Sequence, residues 1–172
     1  MMEVPNTAGA SFEEDAQFVA AKKKALDLLN YQPLTFARLV EKLREREFSE
    51  ELAQAAAERM QELGLVNDEE YARRSFRYYS ETKCYGARRV RQEMLHKGVP
   101  SDIISRVFEE TDVDWIALAL VRLRKKYPDA NDNPKAKNRA YGGLARYGFS
   151  PSEIRNALTE LESTENEEQY DE

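Results

Sequence analysis

Met94-Leu95-His96-Lys97-Gly98-Val99-Pro100-Ser101-Asp102-Ile103-Ile104 contains an apolar helix end, a break, an aliphatic anchor and a helix restart. The same phrase is written as LREREFSEEL at Leu43–Leu52 and as LARYGFSPSEI at Leu144–Ile154. The anchors Phe48, Val99 and Phe149 stand 51 and 50 positions apart. A repeat of that period marks small units that bury their apolar faces by stacking on neighbours.

Working outward from the anchors, apolar residues recur at helical spacing on both sides, and no stretch alternates as a strand does. In copy one Phe36, Leu39, Val40 and Leu43 precede the break, and Leu52, Ala56, Met60 and Leu63 follow it, capped by Ser49 and ended by Gly64. An earlier short helix carries Ala25, Leu26, Leu28 and Leu29 and stops at Asn30-Tyr31-Gln32-Pro33. Copy two opens at Asn67, with Tyr71, Ala72, Phe76 and Tyr79 as its stripe and Gly86 as a break. Copy three opens at Asp112 or Asp114, crosses a loop from Tyr127 to Pro134, and ends with Ser150-Pro151-Ser152-Glu153. That last string offers a cap, a proline at the first helical position and a glutamate at the third. Superposed on the anchors, Leu39, Val90 and Ala140 align, as do Leu43, Met94 and Leu144. The expected fold is all-α, three tandem three-helix repeats spanning 22–66, 67–111 and 112–162. Residues 1–21 read as a disordered extension and 163–172 as an acidic disordered tail.

Chemistry is sparse. One histidine, His96, and one cysteine, Cys84, build neither a metal site nor a disulfide framework. No nucleophile–base pair, carboxylate pair or phosphate loop is legible, so neither an enzyme nor a cofactor is expected. No run is apolar enough to span a membrane, and the N-terminus lacks a signal-peptide pattern, so a cytoplasmic location is expected; a monomer is the expected state.

Charge is the informative feature. The chain carries a net −6, yet Tyr71 to Lys97 holds eight bases against two acids, and Trp115 to Gly148 again eight against two. The stretch from Ser150 onward holds one base against eight acids. Segregation of this kind points to an electrostatic partner. In the first basic block Arg73 and Arg77 share a helix face, Lys83 lies beyond, and Arg88, Arg89, Arg91 and Lys97 follow among Tyr78, Tyr79 and Tyr85. In the second, Arg122, Lys125 and Lys126 end one helix while Arg139 and Arg146 lie on the next. These twelve are the candidate partner-binding residues, for acidic protein surfaces or for nucleic-acid phosphates.

Leu65-Val66-Asn67-Asp68-Glu69-Glu70-Tyr71-Ala72, then Tyr85-Gly86-Ala87-Arg88-Arg89-Val90-Arg91-Gln92-Glu93-Met94, then Lys97-Gly98-Val99 resemble the central motif of the RecX family, bacterial regulators of the RecA recombinase. Tyr147-Gly148-Phe149-Ser150 adds to the likeness. Asn67 departs from the first of the paired aspartates common there, and Met94 from the usual leucine; both are mild. The resemblance implies an elongated, curved helical array. It implies binding to RecA and along the RecA–DNA filament, with modulation, most often inhibition, of recombinase, ATPase and coprotease activity in repair and the SOS response. Direct DNA binding would be weak. By match to the motif, Asp68, Tyr71, Ala72, Gly86, Val90, Gly98, Val99, Gly148 and Phe149 are carried over as structural positions. The alternative reading is a helix-turn-helix-like DNA-binding protein acting without RecA.

Overall fold

The computed structural model describes residues 16–168, with side chains through 164. Nine α-helices follow one another among the described residues: α1 Ala16–Tyr31, α2 Phe36–Arg44, α3 Glu50–Glu62, α4 Asp68–Arg77, α5 Ala87–His96, α6 Ser101–Glu110, α7 Trp115–Lys126, α8 Pro134–Arg146 and α9 Pro151–Glu168. No strand occurs among them. A π-helical segment, Tyr78–Thr82, continues α4. The chain divides into two compact units, Met1–Tyr71 and Ala72–Glu172.

In the first unit α3 packs on α1 and α2. Ala21 and Ala25 of α1 and Ala53, Ala56 and Ala57 of α3 are fully buried, and such small side chains let helices lie close. Leu39, Leu43 and Met60 complete this core. Thr35 and Ser49 cap α2 and α3 by accepting the amide N–H of Arg38 and Leu52. The Asp68 carboxylate accepts the N–H of Phe36 at 2.8 Å, tying the start of α4 to the first turn of α2. Partial burial raises the Asp68 carboxyl above its ordinary value, against the opposing pull of that hydrogen bond.

Two expected boundaries move. Helix α1 starts at Ala16, inside the segment 1–21 read as disordered, because Phe18 and Ala21 extend the apolar stripe of Ala25 back by two turns. Helix α9 runs to Glu168, past the expected end at 162, since Leu161 still anchors its inner face. The remaining parts of both terminal expectations, 1–15 and 169–172, lie outside the described residues.

In the second unit Ala72, Phe76, Val90, Met94, Val99, Ile104 and Val107 are buried, and Phe76, Phe108 and Trp115 form an edge-and-stack trio with centroids 4.8–6.1 Å apart. Helix α7 packs on α9, around Leu120, Leu123, Leu144, Ile154 and Leu158. Copy three starts at Asp114, whose carboxylate accepts from Ile116 and Ala117. Ser150 and Glu153 form the reciprocal capping box: the hydroxyl accepts from the Glu153 N–H and the glutamate accepts from the Ser150 N–H.

The repeated phrase has one backbone explanation. Glu47, Gly98 and Gly148 all adopt positive φ, 67°, 79° and 91°. The next N–H in each copy, that of Phe48, Val99 and Phe149, reaches back to the carbonyl of Leu43, Met94 and Leu144. This is the Schellman helix end. It turns the chain so that the anchor side chain enters the core: Val99 and Phe149 are 2% and 1% exposed.

Candidate basic and aromatic surface

The two basic blocks meet inside the second unit, where the start of α5 lies against the end of α8. The Gly86 N–H donates to the Tyr147 carbonyl at 2.8 Å, and the Arg88 N–H to the Gly148 carbonyl at 3.3 Å. The backbones approach too closely for side chains. A Cβ on Gly86 would sit 2.4 Å from the Gly148 carbonyl carbon, and one on Gly148 2.4 Å from the Arg89 nitrogen. Both family-motif glycines are therefore required by contact, and Gly148 by its torsion as well.

Arginines finish the seam. Arg88 donates to the Ala145 carbonyl at 2.8 Å and Arg89 to the Arg146 carbonyl at 3.3 Å. These carbonyls belong to the last turn of α8, at the negative end of its dipole, where a guanidinium is well placed; that of Ala145 also accepts the Gly148 N–H. Arg122, from α7, lies 3.2 Å from the Tyr147 ring centroid and donates to the carbonyl of Lys83. Its Nε is buried without a hydrogen-bond partner. Arg89 sits 4.4 Å from the Tyr85 ring centroid.

The rings under these cations form a chain. Tyr78 meets Tyr79 edge-on at 5.3 Å, Tyr79 stacks on Tyr85 at 6.0 Å, and Tyr85 tilts against Tyr147 at 5.8 Å. The hydrogen bond and charge of Arg122, with Lys126 and Arg89 adding, hold the Tyr147 phenol below its ordinary pKa despite desolvation. The π-helical segment and Cys84, whose φ is +48°, bring Tyr85 back under Arg89.

The twelve candidate residues thus separate. Arg88, Arg89 and Arg122 hold the seam. Arg91 lies 4.6 Å from the Phe108 ring centroid and donates to Ser105. Arg73 pairs with Glu110 at 3.2 Å, and Arg139 pairs with Asp129. Lys97 sits half-buried at the end of α5. Lys83 lies over the Tyr78 ring at 5.3 Å. Arg77, Lys125, Lys126 and Arg146 are exposed. Of these, Lys126 acts through its charge on Tyr147.

Tyr85 and Tyr147 were not among the candidates, although a signal existed. The pair Tyr-Gly is written at both sides of the seam, Tyr85-Gly86 and Tyr147-Gly148. Of the motif positions, Ala72, Val90, Val99 and Phe149 are core. Gly98 makes the left-handed turn, Asp68 caps α2, and Tyr71 is half-buried. No described helix is long and apolar enough to cross a membrane.

Comparison with known proteins agrees with this architecture. Residues 21–60 match the model of the first three-helix domain of RecX, and 67–107 that of the second. The chain is 32% identical over 141 residues to the regulatory protein RecX of Haemophilus influenzae strain PittGG, covering 80% of this chain and 92% of that one. It is 32% identical over 142 residues to the regulatory protein RecX of Pseudomonas entomophila, covering 82% and 91%. The crystal structure of RecX from Lactobacillus salivarius superposes with a TM-score of 0.75 at 22% identity, covering 85% of this chain and 97% of that one.

Proposed function

The chain belongs to the RecX family, and we propose that it is a non-enzymatic cytoplasmic regulator that binds RecA and the RecA–DNA filament and inhibits recombinase, ATPase and coprotease activity. The observation that carries this reading is the concentration of positive charge in the second unit of a chain whose net charge is −6. Such a face steers toward acidic protein surfaces and phosphates, and its attraction weakens with salt.

Arginines held by α8 carbonyls or tyrosine rings are already committed. The contact role therefore falls to the exposed cations around them: Arg77, Lys125, Lys126 and Arg146. Charge reversal of Arg77, Lys125 and Arg146 together leaves the seam intact. This triple variant should keep the helical circular dichroism of the parent and lose most inhibition of RecA-driven ATP hydrolysis and strand exchange. A folded triple variant that inhibits as strongly as the parent removes the electrostatic face from the mechanism. Reversal of Arg88, Arg89 and Arg122 is a poorer probe, because it unpins α8 at the same time.

A further inference from the structure

Tyr78 lies at the outer end of the tyrosine chain and is 46% exposed, unlike Tyr79, Tyr85 and Tyr147, which are half-buried. It follows α4 directly and stands two positions past buried Phe76, about 200° round the helix, so it faces away from the core. The π-helical turn Tyr78–Thr82 widens the backbone, with the Lys83 N–H reaching the Tyr78 carbonyl, and Cys84 then takes a left-handed torsion that an L-residue adopts at a cost. Single π turns concentrate at functional sites. Here Tyr78 faces outward at the start of that turn, while Tyr79, Tyr85 and Tyr147 are stacked beneath. The Lys83 ammonium lies over one face of the ring, 5.3 Å from its centroid, and Arg77 is exposed one residue before it.

From this juxtaposition we infer that Tyr78, flanked by Lys83 and Arg77, is a stacking platform for single-stranded nucleic acid. An unpaired base would lie on the face of the phenol ring that Lys83 does not cover, and the adjoining phosphates on the two cations. Charge alone would suit an acidic protein equally well. The exposed ring, pre-ordered at low entropic cost by the stacked tyrosines behind it, favours a partner that brings its own aromatic faces and negative charges at nucleotide spacing. Duplex DNA satisfies the cations but hides its bases, so the platform discriminates for single strands. The contact goes beyond the RecA reading and needs no RecA.

The test is fluorescence anisotropy of a labelled oligodeoxythymidine with the full chain in a salt series, without RecA. Tyr78→Ala should weaken binding about tenfold or more, the loss expected for one stacked base. Tyr78→Phe, which keeps the ring, should bind within about twofold of the parent. Lys83→Ala should weaken binding and flatten the salt dependence. Tyr78→Ala binding as the parent does overturns the platform. So does poly-glutamate binding with the same dependence on Tyr78, which reassigns the surface to acidic protein. Should Tyr78→Ala fail to match the parent's thermal melt, Lys83→Ala decides: unchanged affinity and salt slope overturn the proposal. RecA ATPase inhibition is measured in parallel. Loss of oligonucleotide binding with inhibition retained, or the converse, separates this site from the RecA contact.

Discussion

Gly64 and Gly148 end helices α3 and α8 with similar left-handed torsions, φ of 71° and 91°, and similar hydrogen bonds. Their surroundings are opposite. A Cβ on Gly64 would meet nothing within 4 Å, whereas one on Gly148 would strike the Arg89 backbone at 2.4 Å. At Gly64 the glycine only relieves a torsional penalty. At Gly148 it also makes room for another strand of backbone, and the seam between α5 and α8 depends on that room. Glu47 widens the contrast, since the same turn forms there with no glycine at all. One local geometry therefore serves as a simple helix stop in the first unit and as a docking surface in the second.

The largest expected effect falls on the second unit. Gly148→Ala should destabilise it by about 3 kcal/mol or more, combining overpacking against Arg89 with left-handed strain. Gly64→Ala should cost about 1 kcal/mol, the torsional part alone. Urea denaturation of both variants checks the pair; equal losses would collapse the distinction.

Arg122→Ala should cost about 1–2 kcal/mol, from the lost Tyr147 contact and the Lys83 carbonyl bond. Arg122→Lys should recover little, because an ammonium cannot both lie flat on a ring and reach sideways to a carbonyl. The Tyr147 phenol should then titrate closer to its ordinary value in the alanine variant, readable by ultraviolet difference absorption. An unchanged titration would mean that Arg122 is not what lowers it.

Asp68 should behave as a carboxyl whose folded pKa is raised. The folded state then binds its proton more readily than the unfolded chain does. Stability from this group is present below the unfolded value and lost as pH rises through the folded one. Parent stability relative to Asp68→Asn should therefore rise as pH falls through the carboxylate range, measured by denaturation at matched ionic strength. The opposite slope would show that the Phe36 hydrogen bond outweighs burial.

The smallest effect is a gain. Glu47→Gly should stabilise the first unit by about 1 kcal/mol, since glycine adopts φ of 67° without the penalty glutamate carries. A loss on this substitution would mean that the glutamate side chain contributes more than its torsion costs.

Much of the fold was legible because its signals are local. Caps at Ser49, Asn67, Asp114 and Ser150, and stops at Gly64, Gly98 and Gly148, act over three or four residues. The start of α1 was missed because its stripe is thin: Phe18, Ala21 and Ala25 are buried, but Val19 and Leu26 point to solvent. The candidate surface was legible only as charge. Twelve basic residues were readable as a set, but nothing local separates Arg88, which bonds a carbonyl 57 residues away, from Arg77, which takes no part in the seam.

The sequence by itself determined the number, kind and punctuation of the helices and the threefold phrase, because these follow from apolar periodicity and short-range hydrogen bonding. Tertiary structure alone decided which cations are spent inside the molecule and which remain outside. A guanidinium takes whatever carbonyl or ring the packed chain brings within about 3–6 Å, and that distance exists only once α5, α7 and α8 have met.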